Sequence, residues 1–219
     1  WRRGREVRRA AGLHELFERF YARWAEAGHG AITVDTLPEA HGVFTAVAEE
    51  ALATLSPPDA AVERLRLFGT AGAPGIARRV LGVDVERSTA VVERLLEFEL
   101  DGAFTFTAAD GRTRDLTLRG KVDRVDLLGD GTFHLIDYKT RMTPNPRRAL
   151  QLPIYSVCVA ARVQGRRGRQ WRLGDASYLS YEGPTALVPL ARKSADLVAR
   201  VSDAQGQMLD VLDGIAAGH

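Results

Sequence analysis

Two short runs constrain this chain more than anything else in it: Gly120-Lys121-Val122-Asp123-Arg124-Val125-Asp126 and Leu135-Ile136-Asp137-Tyr138-Lys139-Thr140, with Gly129-Asp130-Gly131 between them. Apolar and β-branched residues carrying charges at intervals, joined by glycine and aspartate, are the chemistry of a hairpin. The pattern predicts a strand from Leu116 to Leu128, a tight turn, and a strand from Thr132 to Thr140. Residues two apart on a strand share a face, so Asp137 and Lys139 project side by side while Tyr138 points away. The turn folds Asp123 back toward the same end of the sheet. Two carboxylates and a lysine then converge.

The rest of the chain places that hairpin in an α/β (α+β) context. Leu13, Leu16, Phe17, Phe20, Tyr21 and Trp24 form one apolar stripe, predicting an amphipathic helix over residues 10–27. A second helix is expected over 43–55, stopped by Ser56-Pro57-Pro58, with further helical pieces at 60–68 and 85–96. Phe98, Leu100, Phe104 and Phe106 sit at even spacing and predict a strand, the first of three consecutive antiparallel strands. After Thr143-Pro144-Asn145-Pro146, residues 148–163 read as a helix, 176–181 as a strand and 194–215 as a closing helix. The expected layout is a single domain over 1–219, helical to about 96 and catalytic α/β from about 97.

Paired carboxylates with a lysine suit one chemistry in particular. Phosphodiester hydrolysis requires an attacking hydroxide and neutralisation of the charge that builds on the phosphate. A divalent ion held by oxygen ligands serves both needs, and a positioned ammonium stabilises the same charge. The Tyr138 carbonyl offers one more hard oxygen. Such ligands favour Mg²⁺, with Mn²⁺ as a substitute. The plainer reading of Asp137 and Lys139 alone is a same-face ion pair of little energetic weight. Two features weigh against it: Phe133, Leu135 and Ile136 mark a buried strand, where charges are costly, and only three of the 30 basic residues are lysines, so the chain otherwise chooses arginine for generic charge.

Gly-x-Val-Asp-Arg-Val-Asp, then Ile-Asp-Tyr-Lys-Thr, then Gln151-Leu152-Pro153-Ile154-Tyr155 together resemble the RecB-type branch of the PD-(D/E)XK nuclease superfamily, known from RecB and AddB helicase-nucleases and CRISPR-associated single-strand exonucleases. Gly12-Leu13-His14-Glu15-Leu16-Phe17 resembles that branch's early histidine-bearing helix. The resemblance implies a restriction-endonuclease-like core, a central mixed sheet flanked by helices, and a metal-dependent DNA exonuclease acting in repair or recombination. It assigns Asp123 and Asp137 as metal-binding carboxylates, Lys139 as the catalytic lysine and His14 as a further ligand. Gln151 and Tyr155 would line the DNA side, Arg124 would support the strand, and Glu97 or Glu99 would supply the acidic residue preceding the first motif. The alternative is a catalytically silent nuclease-like module that binds DNA or a partner protein.

Several expectations concern absences and partners. Cys158 stands alone, so the four-cysteine iron-sulfur cluster of many relatives is not expected. No phosphate-binding GxxxxGK[ST] loop occurs, so a helicase motor would be a separate subunit or domain, and this chain would be an excised domain beside it. No run approaches the roughly 20 apolar residues of a membrane span, and the N-terminus lacks a signal-peptide core, so the protein is expected to be cytoplasmic. With a net charge of +2, DNA contact would rest on local clusters: Arg2-Arg3-Gly4-Arg5 with Arg8-Arg9, Arg147-Arg148, and Arg166-Arg167-Gly168-Arg169 with Arg172. Ordinary solvated loops account for each cluster equally well.

Overall fold

A computed structural model describes residues 2–87 and 89–218, with side chains from residue 12 onward; the arginine cluster at residues 2–9 lies outside the described side chains. The chain forms two compact units. The first comprises residues up to Arg94 together with Tyr138–Met142 and Leu179–Leu187, the second Leu95–Asp137, Thr143–Tyr178 and Val188 onward.

The first unit is helical. Helix α1 (Arg2–Glu26) buries the expected stripe, with Phe17, Phe20, Tyr21 and Trp24 essentially inaccessible. Helix α2 (Leu37–Leu52) meets it through Phe44, whose ring lies 5.0 Å from that of Phe17. Removing such a ring costs about 3–5 kcal/mol. Helix α2 begins six residues before the expected start, because Pro38 fits a first helical turn where its missing N–H is no loss. Ser56-Pro57-Pro58 acts as a start rather than a stop: Ser56 caps helix α3 (Pro57–Phe68) by accepting the Asp59 N–H, and Pro57 opens it. Two short strands follow, β1 (Gly69–Thr70) and β2 (Ala73–Pro74). Gly69 has φ +76°, and a Cβ there would fall 2.2 Å from the Ala73 carbonyl oxygen, so only glycine fits. Helix α4 (Ile76–Val85) closes the unit, and its buried Asp84 accepts a 2.6 Å hydrogen bond from Tyr21 Oη.

The helix expected over 85–96 is corrected by the structure. Its first residue ends α4, and Val91–Glu99 is a strand, β3. Val91, Val92, Leu95 and Leu96 stand at helix-like spacing in the sequence, yet they form this strand, whose backbone is kinked further on by Glu97 with φ +47°. The strand expected over 98–106 also divides: Gly102–Thr107 is a separate strand, β4, paired antiparallel with β5 (Thr113–Leu118) as a two-stranded sheet. The run 116–128 is likewise interrupted at Arg119-Gly120, after which β6 (Lys121–Leu128) begins.

Strand β6 pairs antiparallel with β7 (Thr132–Lys139), through the turn read from the sequence. Asp130 fixes that turn by accepting hydrogen bonds from the Thr132 N–H at 2.9 Å and hydroxyl at 2.7 Å. Helix α5 (Gln151–Val163), strands β8 (Arg172–Ser180) and β9 (Leu187–Pro189), and helix α6 (Ser194–Ala216) complete the chain. The main sheet is mixed and five-stranded, in the order β3-β6-β7-β8-β9. Within the second unit, Val125, Leu127, Phe133 and Leu135 share one core with Cys158, Val159 and Val163 of α5 and with Leu197, Ala204 and Leu209 of α6. The resulting class is α/β with a restriction-endonuclease-like sheet.

Candidate metal centre

Along β6, Val122 and residues 124–128 are buried while Asp123 is only partly covered and Lys121 is exposed. The charged residues that face out are thus 121 and 123, two apart on one face. On neighbouring β3, Glu97 turns toward them. Its left-handed backbone angle is costly for a residue with a Cβ, roughly 1–2 kcal/mol, and re-aims the side chain. Lys121 Nζ lies 3.0 Å from Glu97 Oε2, and the carboxylates of Glu97 and Asp123 approach within 4.8 Å of each other. Two carboxylates that close, beside the exposed Lys121, disfavour each other's charged form and are an arrangement that a bound cation neutralises. Hard oxygen donors at this spacing fit a divalent ion.

The hairpin register adds Asp137. Arg124 pairs with Ile136 and Val125 with Leu135, so one further rung in the same register sets Asp123 opposite Asp137. Directly opposed residues have Cβ atoms about 5 Å apart. Asp137 is 7% exposed, and its charge is felt by Tyr178: burial, and then this carboxylate, push the Tyr178 hydroxyl up to about 12, against the opposing pull of Arg200. Lys139, the next residue on that face of β7, is half-buried, and its carbonyl accepts the Tyr181 N–H at 2.9 Å.

In the first unit, His14 is half-buried on α1, with its ring edge-on to Tyr138 at 5.5 Å and to Tyr181 at 5.9 Å. Tyr138 and Tyr181 stack at 5.5 Å. This aromatic wall fixes the orientation of the imidazole.

Arg124 is fully buried and grips Asp126, its Nε lying 2.9 and 3.0 Å from the two carboxylate oxygens. It braces the strand between Asp123 and the core. Gln151 is exposed at the start of α5, and Tyr155 one turn later is half-buried. A Cβ on Gly120 would lie 2.8 Å from Tyr155 Oη, so glycine just before β6 lets the tyrosine close against the strand that carries Asp123. Arg200 holds the loop leading into α5 from behind, donating to the carbonyls of Pro146 at 3.0 Å and Ala149 at 2.6 Å. Arg147-Arg148 and the cluster at 166–172 are exposed.

The structure separates Glu97 from Glu99, which the sequence left as equals: Glu97 faces Asp123, and Glu99 is exposed at the strand end. The pairing of Lys121 with Glu97 was not foreseen, since the lysine's role depends on which strand lies beside β6.

With this geometry in place, the family model for the PD-(D/E)XK nuclease superfamily matches residues 11–219. The chain belongs to the PD-(D/E)XK nuclease superfamily. The match spans the α1 histidine, both acidic strands and α5. A search of curated proteins returned no match. Among the described residues, no helix is long and apolar enough to cross a membrane.

Proposed function

We propose that this chain is a divalent-metal-dependent deoxyribonuclease of the RecB/AddB type, a single nuclease domain that trims DNA ends or single strands in repair or recombination in the cytoplasm. The observation that carries the reading is the approach of the Glu97 and Asp123 carboxylates on the strands that hold the family's motifs. Glu97, Asp123 and Asp137 supply hard oxygens and the Tyr138 carbonyl a further one. His14 joins the proposal as a further ligand on the family resemblance of its helix alone. Mg²⁺ suits these donors, with Mn²⁺ as a substitute. When bound, such an ion supplies Lewis acidity to a phosphodiester oxygen and acidifies water.

The chain's own residues do the rest. Lys139 orients the attacking water and stabilises the negative charge growing on the phosphate, because its ammonium is a compact, strongly directed donor. Gln151 and Tyr155 share one face of α5 and line the path of the strand, and Arg124 keeps β6 rigid under Asp123. A helicase partner outside this chain would supply single strands to such a site.

The test is incubation of the purified protein with labelled single- and double-stranded DNA, in Mg²⁺ or in EDTA, beside Asp137→Ala and Lys139→Ala. Metal-dependent cleavage lost in both variants is the expected result. Firm DNA binding with no cleavage by the unmodified protein in Mg²⁺ or Mn²⁺ would replace this reading with a silent binding module.

A further inference from the structure

The first unit contains a cavity of about 490 Å³ that the metal centre does not use. Its lining includes three arginines, Arg66, Arg78 and Arg79, against two carboxylates, Glu86 and Glu182. Glu182 is already committed: it pairs with Arg66 on one oxygen and with Arg141 on the other, the second contact at 2.8 Å. Burial raises its pKa, but hydrogen bonds from Arg141 and Arg66 outweigh that and hold it below the usual carboxylate range. It therefore stays ionised without spare charge for a further cation. Arg79 donates to the Gly183 carbonyl through one terminal nitrogen, while its buried Nε has no hydrogen-bond partner. Arg78 is exposed, with no ion pair to it among the described residues. The neighbouring His41 registers a positive field there, its pKa lowered by burial first and by Arg78 second. The wall also includes Gly75 and Ile76, the start of α4, where no side chain caps the first-turn N–H donors.

A cavity with surplus guanidinium charge and open N–H donors fits an anion with several acceptor oxygens. Tyr181 lines it too, and the same ring stacks on Tyr138 and meets His14. We propose that this cavity is a second phosphate subsite that grips the substrate strand's phosphodiester backbone, with Arg78 and Arg79 as its cationic contacts. The proposal rests on the nuclease reading for its ligand, a DNA strand.

Gly82 allows a clean test, because it lines the cavity and a Cβ there meets nothing within 4 Å. A carboxylate can thus be introduced by Gly82→Glu without a clash, with Gly82→Ala as the uncharged control. The measurement is binding of a fluorescein-labelled 20-nucleotide single strand in EDTA across a salt series, with circular dichroism to confirm folding. Loss of one phosphate contact on a single strand lowers affinity about fourfold at 0.15 M salt and flattens the log–log salt slope by about 0.7. Arg78→Ala and Gly82→Glu are both expected to show this, and Gly82→Ala to bind as the unmodified protein does. Wild-type affinity and slope in Gly82→Glu would overturn the proposal, whatever Arg78→Ala does, since Arg78 would then act outside the cavity. Because binding is read without metal, failure of cleavage and failure of this subsite are separate outcomes.

Discussion

Glu97 joins two properties rarely combined in one residue: a left-handed backbone inside a strand and a carboxylate within 4.8 Å of another. The backbone cost is tolerated where the side chain must reach a set position. Glu97→Gly removes both the strain and the carboxylate. Its stability should be unchanged or up to about 1 kcal/mol higher, since relief of the φ penalty is offset in part by glycine's entropy in the unfolded chain. Cleavage should fall at least about 100-fold in Glu97→Gly and in Glu97→Gln alike, the scale of losing an electrostatic contact at a reacting centre. Urea melts and a cleavage assay on both variants check this, and a marked loss of stability in Glu97→Gly would show that the kink is not strained. Cys158 is a contrasting case. It is fully buried among α5 and sheet residues, and burial pushes its thiol up to about 11. The thiolate is the reactive form, so iodoacetamide at pH 8 should leave the folded protein unmodified and label it on denaturation. Modification of the native protein at a free-thiol rate would contradict that environment.

At the scale of elements, the β6–β7 hairpin was legible because its information is local: the turn residues, the buried run and the charges all lie within 20 residues of sequence. Helix α1 was legible for the same reason, its stripe having one period throughout. Strand β3 was not, because Val91, Val92, Leu95 and Leu96 stand at helix-like spacing and only the partner β6 makes them a strand. The site divides in the same way. Asp123 and Asp137 could be paired from the hairpin alone, whereas choosing Glu97 over Glu99 required the neighbouring strand, and the arginine-lined cavity required three separate segments. The hairpin also contains an energetic test. Arg124 and Asp126 are both at most 1% exposed, and each holds the other's charge at hydrogen-bond distance. Arg124→Met alone should cost about 3–5 kcal/mol by stranding a buried carboxylate, whereas Arg124→Met with Asp126→Leu should recover most of it. Denaturant unfolding of the two variants decides the matter, and equal losses in both would mean that packing rather than charge dominates.

For the whole molecule, 30 basic against 28 acidic residues leave almost no net field, so a metal or a DNA strand is drawn by local charge rather than by the protein's total. The acidic centre then makes a prediction of opposite signs under two conditions. Without a cation, Glu97 and Asp123 repel at short range, with Lys121 compensating in part. Asp123→Asn removes one charge from that pair and should leave the melting temperature in EDTA equal or slightly higher. With Mg²⁺ the sign reverses. An ion that binds only the folded state stabilises it by about 2.7 kcal/mol at one hundred times its dissociation constant. For a chain of 219 residues this amounts to roughly 5–10 °C. The unmodified protein should gain that increment between EDTA and saturating Mg²⁺, and Asp123→Asn should gain little of it, so that the two melting curves cross as metal is added. Differential scanning fluorimetry over a Mg²⁺ titration reads both effects in one plate. Parallel gains in the two proteins would place the metal somewhere other than beside Asp123, even if both proteins proved equally inert toward DNA.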